Sequence, residues 1–261
     1  MKKIALSLFA LIICNSAAWA ALKTEVVTYK VGDKSYKGYL AYDDAVKTKR
    51  PGILVVHEFW GLDDYAKKRA EQLAGMGYVA FAADMYGDGK TTEHPKEASA
   101  MAGMVRKSQK EWLARANAGL QVLRDHPLVE AKNLAAIGYC FGGSTALTLA
   151  NAGSDIKAAV SFHGALPIPG EDDAKNIKTK ILICHGAADA LIKEDTIQKM
   201  RGIYDKAGVD YQMIYYGGAL HSFTVPGADK KGLDVLRYDA AADRRSWAAM
   251  RALFDEVFEK K

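Results

Sequence analysis

The sequence predicts an α/β fold, with a mainly parallel central sheet, helices on both faces and an antiparallel hairpin at the N-terminal end. From residue 51 onward, short continuous apolar runs alternate with amphipathic helical patterns, as expected of parallel strands buried on both faces. Before that, two runs of alternating polar and apolar residues flank the pair Gly32-Asp33, which favours a hairpin turn. The chain has 261 residues, 49% of them hydrophobic, which is enough for one sizeable core.

The first 20 residues have the pattern of a secretory signal peptide. Lys2 and Lys3 give a basic start, residues 4–13 are apolar, and residues 18–20 (AWA) form a small-x-small cleavage site. The apolar run is too short to span a bilayer. We therefore expect cleavage after Ala20, a single domain over residues 21–261, and a periplasmic or secreted protein that leaves the membrane after cleavage.

The first half of the chain contains the predicted hairpin and two buried strands. Alternation predicts hairpin strands at 24–30 and 35–42, and continuous apolar runs predict strands at 51–57 and 78–83. Between the last two, Asp63 and Asp64 precede a helical pattern that stops near Gly75 and Gly77, because acidic residues favour a helix start and glycine favours its end. Residues 85–109 are less regular and predict an excursion over the sheet edge with a short helix, and 112–123 has amphipathic helical spacing.

The second half repeats the alternation of strand and helix. Apolar runs predict strands at 134–137, 158–162, 179–184 and 211–216. Helical patterns predict helices at 145–150, 193–207 and 240–258. A loop containing Pro167 and Pro169 interrupts the pattern after the second of these strands, because proline supports neither element interior.

A Gly-x-Cys-x-Gly pattern, residues 138–142, joins the strand at 134–137 to the helix that follows. It is the nucleophile-elbow pattern with cysteine in the usual place of serine. A strand that turns directly into a helix brings backbone segments close together, and only the glycines leave room for that approach. The side chain of Cys140 is then presented above the strand ends, beside the Phe141 amide at a helix N-terminus. The alternative is a buried structural cysteine in a glycine-rich turn.

Three further polar residues follow predicted strands: Glu58, Asp189 and His221. Ligand sites in open α/β sheets lie at the carboxyl ends of the strands. The order Cys140, Asp189, His221 is the nucleophile–acid–histidine order of α/β-hydrolases, and the intervals leave room for strand–helix–strand units. Taken singly, Asp189 could cap the next helix and His221 could be a surface residue. Their joint order favours a catalytic site.

Four short segments carry a resemblance to a known family: residues 57–62 (HEFWGL), 138–143 (GYCFGG), 185–189 (HGAAD) and 221–223 (HSF). Through them the chain resembles the dienelactone hydrolase family of α/β-hydrolases, from about residue 38 to the C-terminus. The resemblance implies an α/β-hydrolase fold and hydrolysis of small esters or lactones through a thioester acyl-enzyme intermediate. The site residues that it implies are a Cys140–His221–Asp189 triad, a carboxylate, Glu58, that contacts the nucleophile and helps it to ionise, and oxyanion-hole amides on Phe59 and Phe141.

These roles agree with thiol chemistry. A free thiol has a pKa near ~8.5 and needs a base to become a thiolate at neutral pH. His221 would take that proton, with Asp189 fixing its tautomer. A carboxylate such as Glu58 beside a thiolate should raise the thiol pKa; the family resolves this by letting the carboxylate accept the proton only when substrate binds, which also limits oxidation of the thiol. The alternative for Glu58 is a strand-end carboxylate bonded to backbone amides.

The chain departs from the family at its substrate-binding arginine. In the family, an arginine a few residues beyond the histidine helps to hold a substrate carboxylate. Here residues 224–226 (TVP) follow the HSF segment without an arginine, so the dienelactone substrate is not implied, and Arg106 is a candidate to replace a second such arginine. We expect Trp60, Tyr86 and Phe223 to form walls of the substrate pocket.

Composition and spacing argue against several other functions. The formal net charge is +5 and the basic residues are scattered, so a nucleic-acid partner is not expected. His57, His163 and Asp84 fall at strand ends but lack metal-site spacing, so we expect structural or pocket-lining roles for them and no metal or cofactor. Cys184 lies in an apolar run and is expected in the core. We expect a monomer.

Two alternatives to hydrolysis stay open. One is a small-molecule binding protein that keeps the fold and pocket without turnover. The other is a redox role through Cys140 and Cys184, the two cysteines that remain after signal cleavage.

Overall fold

The computed structural model describes residues 22–258, which form one eight-stranded sheet in the order β1-β2-β4-β3-β5-β6-β7-β8. The strands are β1 (Leu22–Val31), β2 (Lys34–Asp43), β3 (Arg50–Val56), β4 (Val79–Ala83), β5 (Val129–Tyr139), β6 (Ala158–Phe162), β7 (Lys180–Gly186) and β8 (Tyr211–Tyr216). The helices are α1 (Asp64–Gly75), α2 (Pro95–Arg106), α3 (Gln109–Asp125), α4 (Phe141–Asn151), α5 (Glu171–Ala174), α6 (Glu194–Ala207) and α7 (Ala240–Val257), with a 3₁₀ helix at Ala228–Lys231.

The pairing of the strands confirms the predicted fold class. β1 and β2 form the antiparallel hairpin, which turns at Gly32 with a φ of 57°. β2 also pairs antiparallel with β4, and all the pairings from β4 to β8 are parallel. The sheet is therefore mainly parallel with an antiparallel N-terminal hairpin.

Helices cover both faces of the sheet, and each face buries its own apolar cluster. On one face α1 and α7 pack against the strands through residues such as Leu73 and Phe254. On the other face α3, α4 and α6 contribute residues such as Leu120, Leu147 and Met200. Strands β3 to β7 are buried on both sides, which explains why they appear in the sequence as continuous apolar runs.

Several element boundaries differ from those expected from the sequence. β5 begins at Val129 rather than at residue 134; Val129 pairs with Arg50 of β3, but Glu130, Lys132 and Asn133 interrupt the apolar run that marks the rest of the strand. The irregular region contains a full helix, α2, which starts at Pro95 in the favourable first helical position. Helix α4 starts at Phe141, directly after Cys140, rather than at residue 145. The expected signal peptide, residues 1–20, lies outside the described residues.

None of the helices between residues 22 and 258 is long and apolar enough to cross a membrane.

Candidate active site

Cys140 occupies the sharp turn between β5 and α4. Its backbone has φ 52° and ψ −111°, a conformation that is strained for a residue with a Cβ atom. A Cβ on Gly138 would overlap the carbonyl of Gly142, and one on Gly142 would overlap the carbonyl of Val56. The two glycines are therefore required for the strand and helix to meet, and the turn that they permit lifts Cys140 to the carboxyl edge of the sheet.

His221 and Asp189 meet beside it, on loops that follow β8 and β7. The Nδ1 atom of His221 is 2.7 Å from Oδ2 of Asp189, and both side chains are buried. The loop carrying the histidine is held by the amide of Arg237, which donates to the His221 carbonyl at 3.1 Å. Burial alone would lower the pKa of His221, but interactions with Cys140 and Asp189 outweigh it and raise that pKa to about 10. The pair is thus built to hold a proton next to the cysteine.

Glu58 follows the end of β3 and is almost fully buried, with 3% of its surface exposed. Its Oε1 accepts a hydrogen bond from Ser222 Oγ at 2.6 Å. Within residues 22–258 that hydroxyl is the hydrogen-bond partner of the Glu58 carboxyl, which has no such bond with Cys140. Burial raises the pKa of Glu58 to about 7, while the Ser222 hydroxyl opposes the shift. A carboxyl with this pKa can both accept and release a proton near neutral pH.

The amides of Phe59 and Phe141 belong to the two segments that flank the cysteine. Phe141 is the first residue of α4, so its N–H has no acceptor within the helix. The turn at Phe59 is fixed by the Tyr86 hydroxyl, which donates to the Phe59 carbonyl at 3.0 Å. A neutral, fully buried His57 supports the same segment, with Nδ1 2.5 Å from the Glu58 carbonyl and Nε2 accepting from the Met85 amide. This arrangement keeps the backbone around the expected oxyanion site rigid.

A cavity of about 410 Å³ opens over Cys140 and His221. One side of it carries the guanidinium of Arg106, from the last turn of α2, and the hydroxyl of Ser99. The opposite side is apolar. The remaining lining residues are Phe59, Ala165, Leu191, Ile192, Leu233, Val235 and Leu236. The cavity therefore combines a candidate nucleophile, a histidine, an arginine and an apolar wall.

The three aromatic residues expected as pocket walls lie outside this lining. Trp60 is 2% exposed and packs into a small cluster with Val225 and Leu236. Phe223 is fully buried against His163. Tyr86 supports the Phe59 turn from behind, as described above. Of the HEFWGL segment it is Phe59, not Trp60, that faces the cavity, because neighbouring residues in the turn point in different directions.

Cys140 and Cys184 are both free thiols, and the sheet keeps them apart. Tyr139 of β5 pairs with Phe162 of β6, which in turn pairs with Cys184 of β7. Two strand spacings amount to about 10 Å, whereas a disulfide needs Cα atoms within about 7 Å. A disulfide between the two would require the sheet to come apart, which argues against the redox alternative. Cys184 is fully buried, as expected of a core residue.

Sequence reasoning missed two residues of the site. Ser222 follows the triad histidine directly, and its contact with Glu58 joins segments 164 residues apart. The strand-end position of His163 predicts a structural or pocket-lining residue, whereas the structure places its Nδ1 3.2 Å from the Cys140 amide and 3.9 Å from Glu58 Oε1. Only the fold reveals these contacts, since no spacing rule connects the residues. No group of three or more metal-ligating side chains occurs in the part of the chain that the structure describes.

Comparison with known proteins is consistent with this geometry. The model of the dienelactone hydrolase family matches residues 36–258. A putative carboxymethylenebutenolidase of Aquifex aeolicus is 28% identical over 228 residues, covering 85% of this chain and 94% of that protein. A solved structure named m3DLH superposes with a TM-score of 0.88 at 42% identity, covering 91% of this chain and 99% of the other. A structure described as the dienelactone hydrolase-like promiscuous phosphotriesterase P91, from metagenomic libraries, also has a TM-score of 0.88, at 39% identity and the same coverage.

Proposed function

The chain belongs to the dienelactone hydrolase family, and we propose that it cleaves its substrates by acyl transfer to Cys140. Membership makes it a hydrolase of the ester or lactone type. The observation that carries the acyl-transfer proposal is the placement of Cys140 at a strained elbow in the cavity that also contains His221, itself bonded to Asp189.

The proposed reaction begins with transfer of the Cys140 thiol proton to Glu58. The thiolate attacks the carbonyl carbon, and the oxyanion is bound by the Phe59 and Phe141 amides. When the C–O bond breaks, His221 gives its proton to the leaving oxygen and a thioester remains. Neutral His221 then takes a proton from the water that attacks the thioester. Cys140 leaves as a thiolate and recovers its proton from Glu58, which returns the site to its starting state.

The charge states of the site support this sequence of proton transfers. Beside the Cys140 thiolate and Asp189 the pKa of His221 is raised to about 10, so His221 keeps its proton once the thiol has ionised and the leaving group finds an acid. A pKa of about 7 lets Glu58 take the thiol proton and return it within the same pH range. The two groups therefore divide the acid and base roles between them.

The lining of the cavity supports an amphipathic substrate. The Arg106 guanidinium has no carboxylate partner among the described residues and packs over the Phe141 ring, 5.3 Å from its centroid. It is thereby placed to pair with a negatively charged group near the scissile bond. The apolar wall of Leu191, Ile192 and Leu236 suits a hydrocarbon group on the other side. An ester or lactone with a carboxylate at one end and an apolar group at the other fits both.

Turnover of 4-nitrophenyl acetate by wild type and by Cys140→Ala tests the proposed nucleophile. We expect the variant to lose nearly all activity, and mass spectrometry of wild type quenched during turnover should show an acetyl group on Cys140. Undiminished turnover by Cys140→Ala would overturn the proposal. No turnover of any ester or lactone, together with tight retention of the ligands, would instead indicate a binding protein that keeps the hydrolase fold.

Hydrolysis of phosphotriesters is a second candidate activity, favoured by the neighbour described as a promiscuous phosphotriesterase at 39% identity. Attack of Cys140 on phosphorus would displace an aryloxide, and the apolar wall would accept the alkyl groups. Diethyl 4-nitrophenyl phosphate provides the test. Release of 4-nitrophenolate is expected from wild type and not from Cys140→Ala; without release this candidate is abandoned while ester hydrolysis stands.

Export to the periplasm or the medium is proposed from residues 1–20 alone. N-terminal sequencing of the protein from a periplasmic or culture fraction should begin at Ala21. A protein that keeps Met1 and stays in the cytoplasmic fraction would contradict the export proposal.

A further inference from the structure

His163 is a buried histidine directly below the nucleophile, and the reaction described above does not use it. It follows the end of β6, is fully inaccessible to solvent, and has a φ of 42°. A positive φ is uncommon for a residue with a side chain and persists only where the surroundings hold it. The contacts that hold His163 therefore indicate what it does.

The hydrogen bonds of His163 fix its tautomer. The amide of Cys140 donates to the Phe162 carbonyl at 3.0 Å and, in a shared bond, to Nδ1 at 3.2 Å, so Nδ1 presents a lone pair and not a proton to it. On the other side of the ring Nε2 lies 2.8 Å from Oγ1 of Thr224, to which it must donate. Burial lowers the pKa of His163 well below its usual value, and the neighbouring charges of His221 and Arg69 act in the same direction. The ring is neutral.

The groups beyond Thr224 agree with this assignment. Thr224 Oγ1 lies 2.6 Å from the Tyr65 hydroxyl, and Arg69 Nε donates to that hydroxyl at 3.1 Å. If the Thr224 hydroxyl donates to Tyr65 and the Tyr65 hydroxyl donates to the Thr224 carbonyl, both hydroxyls in this series of hydrogen bonds have an acceptor. This series of hydrogen bonds ends at an ion pair between Arg69 and Asp243, which connects it to α1 and α7. His163 is thus held rigidly with its Nδ1 lone pair facing the active site.

The second neighbour of that lone pair is the carboxyl of Glu58, with Oε1 3.9 Å from Nδ1. An ionised Glu58 gains nothing from a lone pair, whereas a protonated Glu58 finds a hydrogen-bond acceptor there after a small rotation. We propose that His163 is a positioning residue whose Nδ1 accepts a hydrogen bond from Glu58 once Glu58 has taken the proton of the Cys140 thiol.

The proton balance of the step is simple. The S–H bond of Cys140 breaks and its electron pair stays on sulfur, while an O–H bond forms on Glu58. His163 stays neutral throughout, because it accepts a hydrogen bond and not the proton. The inference rests on the proposed roles of Cys140 and Glu58, and it goes beyond them by naming the group that stabilises the protonated carboxyl.

The titratable and charged groups that face the Glu58–His163 pair come from several segments. They are Cys140 at the elbow, Tyr139 of β5, His221 after β8, Asp63, Tyr65 and Arg69 at the start and middle of α1, and Lys231 in the 3₁₀ helix. None of them is changed in the His163 and Glu58 variants below, so their effects are constant across the comparison.

A matched pair of substitutions tests the role of Nδ1. His163→Gln keeps a side-chain N–H that can reach Thr224 but has no acceptor at the position of Nδ1. His163→Asn places an oxygen near the position of Nδ1, and asparagine tolerates positive φ. We measure kcat/KM for 4-nitrophenyl acetate between pH 5 and 9, with thermal unfolding as the check on folding.

We expect the rate of wild type to rise through about pH 7, where Glu58 ionises. In His163→Gln the rising limb of the kcat/KM profile should move to lower pH by roughly one unit, because protonated Glu58 loses its acceptor. The plateau value of kcat/KM should fall about tenfold, which is the effect of losing one buried hydrogen bond to a reacting group. His163→Asn should recover most of the loss. Equal losses of kcat/KM in the folded His163→Gln and His163→Asn variants would overturn the proposal, and so would a pH limb that does not move in His163→Gln. If His163→Gln does not fold, a large loss of kcat/KM in folded His163→Asn is enough to overturn it.

A double variant separates this role from simple support of the fold. With Glu58→Gln no carboxyl can take the proton, so adding His163→Gln should reduce kcat/KM by less than about twofold further. A full additional tenfold loss would show that His163 acts only on the structure. Failure of the underlying acyl-transfer proposal has a different signature, namely unchanged turnover by Cys140→Ala.

Discussion

Replacing Glu58 with glutamine should stabilise the protein while lowering its activity to a small residual level. The carboxyl is buried, and Ser222 is its hydrogen-bond donor. Glutamine keeps the oxygen that accepts from Ser222, has the same shape, and carries no charge to be desolvated. The substitution therefore isolates the energetic cost of keeping an ionisable group in the site.

The size and sign of the effect follow from the raised pKa. Burial raises the pKa of Glu58 from 4.5 to about 7, so between these values the folded state binds more protons than the unfolded state. Stability of the wild type then falls as pH rises through this window. At 1.36 kcal/mol per pKa unit, the loss at pH 8 amounts to about 3 kcal/mol, and below pH 4.5 it vanishes.

Urea unfolding followed by circular dichroism at pH 4, 6 and 8 measures this difference. The free energy of unfolding of Glu58→Gln should exceed that of wild type by up to about 3 kcal/mol at pH 8 and match it at pH 4. Glu93→Gln, at an exposed position, is the control, with an expected change within about 0.5 kcal/mol at every pH. A gain that is independent of pH, or no gain at pH 8, would refute the assigned charge state of Glu58.

Three further substitutions test separate parts of the site. Arg106→Ala should lower kcat/KM about 10- to 100-fold for an ester carrying a carboxylate and leave a neutral ester unaffected, and equal losses on both would contradict anion recognition. Asp189→Asn should lower kcat at least about 100-fold at neutral pH in stopped assays without loss of folding, because His221 loses the group that orients it; full activity would remove Asp189 from the triad. Gly142→Ala should destabilise by more than about 2 kcal/mol in thermal unfolding, since its Cβ would meet the Val56 carbonyl, whereas Gly103→Ala, which meets nothing within 4 Å, should be neutral or stabilising; similar effects of the two would refute the steric account of the elbow.

The fold was predictable because its central strands are buried on both faces and therefore appear as uninterrupted apolar runs. The elbow was predictable because its Gly-x-Cys-x-Gly pattern is short and contiguous, although the contact that requires Gly142 is with the distant Val56 carbonyl. The start of β5 could not be predicted in the same way, because Glu130, Lys132 and Asn133 interrupt the apolar run where the pairing of β5 with β3 shifts register. Their strand conformation depends on a neighbour at Arg50 that is distant in sequence.

The lining of the cavity was harder to predict than the triad. Trp60 and Phe223 adjoin the conspicuous motifs, but adjacency in a turn does not determine which way a side chain points. The residues that do face Cys140 include Leu191 and Leu236, which come from separate loops and share no pattern in the sequence. Contacts such as that of Ser222 with Glu58 likewise arise only when the strand ends are brought together.

The separation of Cys140 from Cys184 by strand β6 also affects how oxidation of Cys140 can be reversed. Oxidation of Cys140 to the sulfenic acid would normally be reversed when a second thiol of the same chain captures it as a disulfide. Cys184, the other thiol within residues 22–258, is fully buried two strands away and cannot do so. With Cys184 excluded, a small external thiol that enters through the substrate cavity is the expected route of rescue for oxidised Cys140 before it reaches the irreversible sulfinic acid.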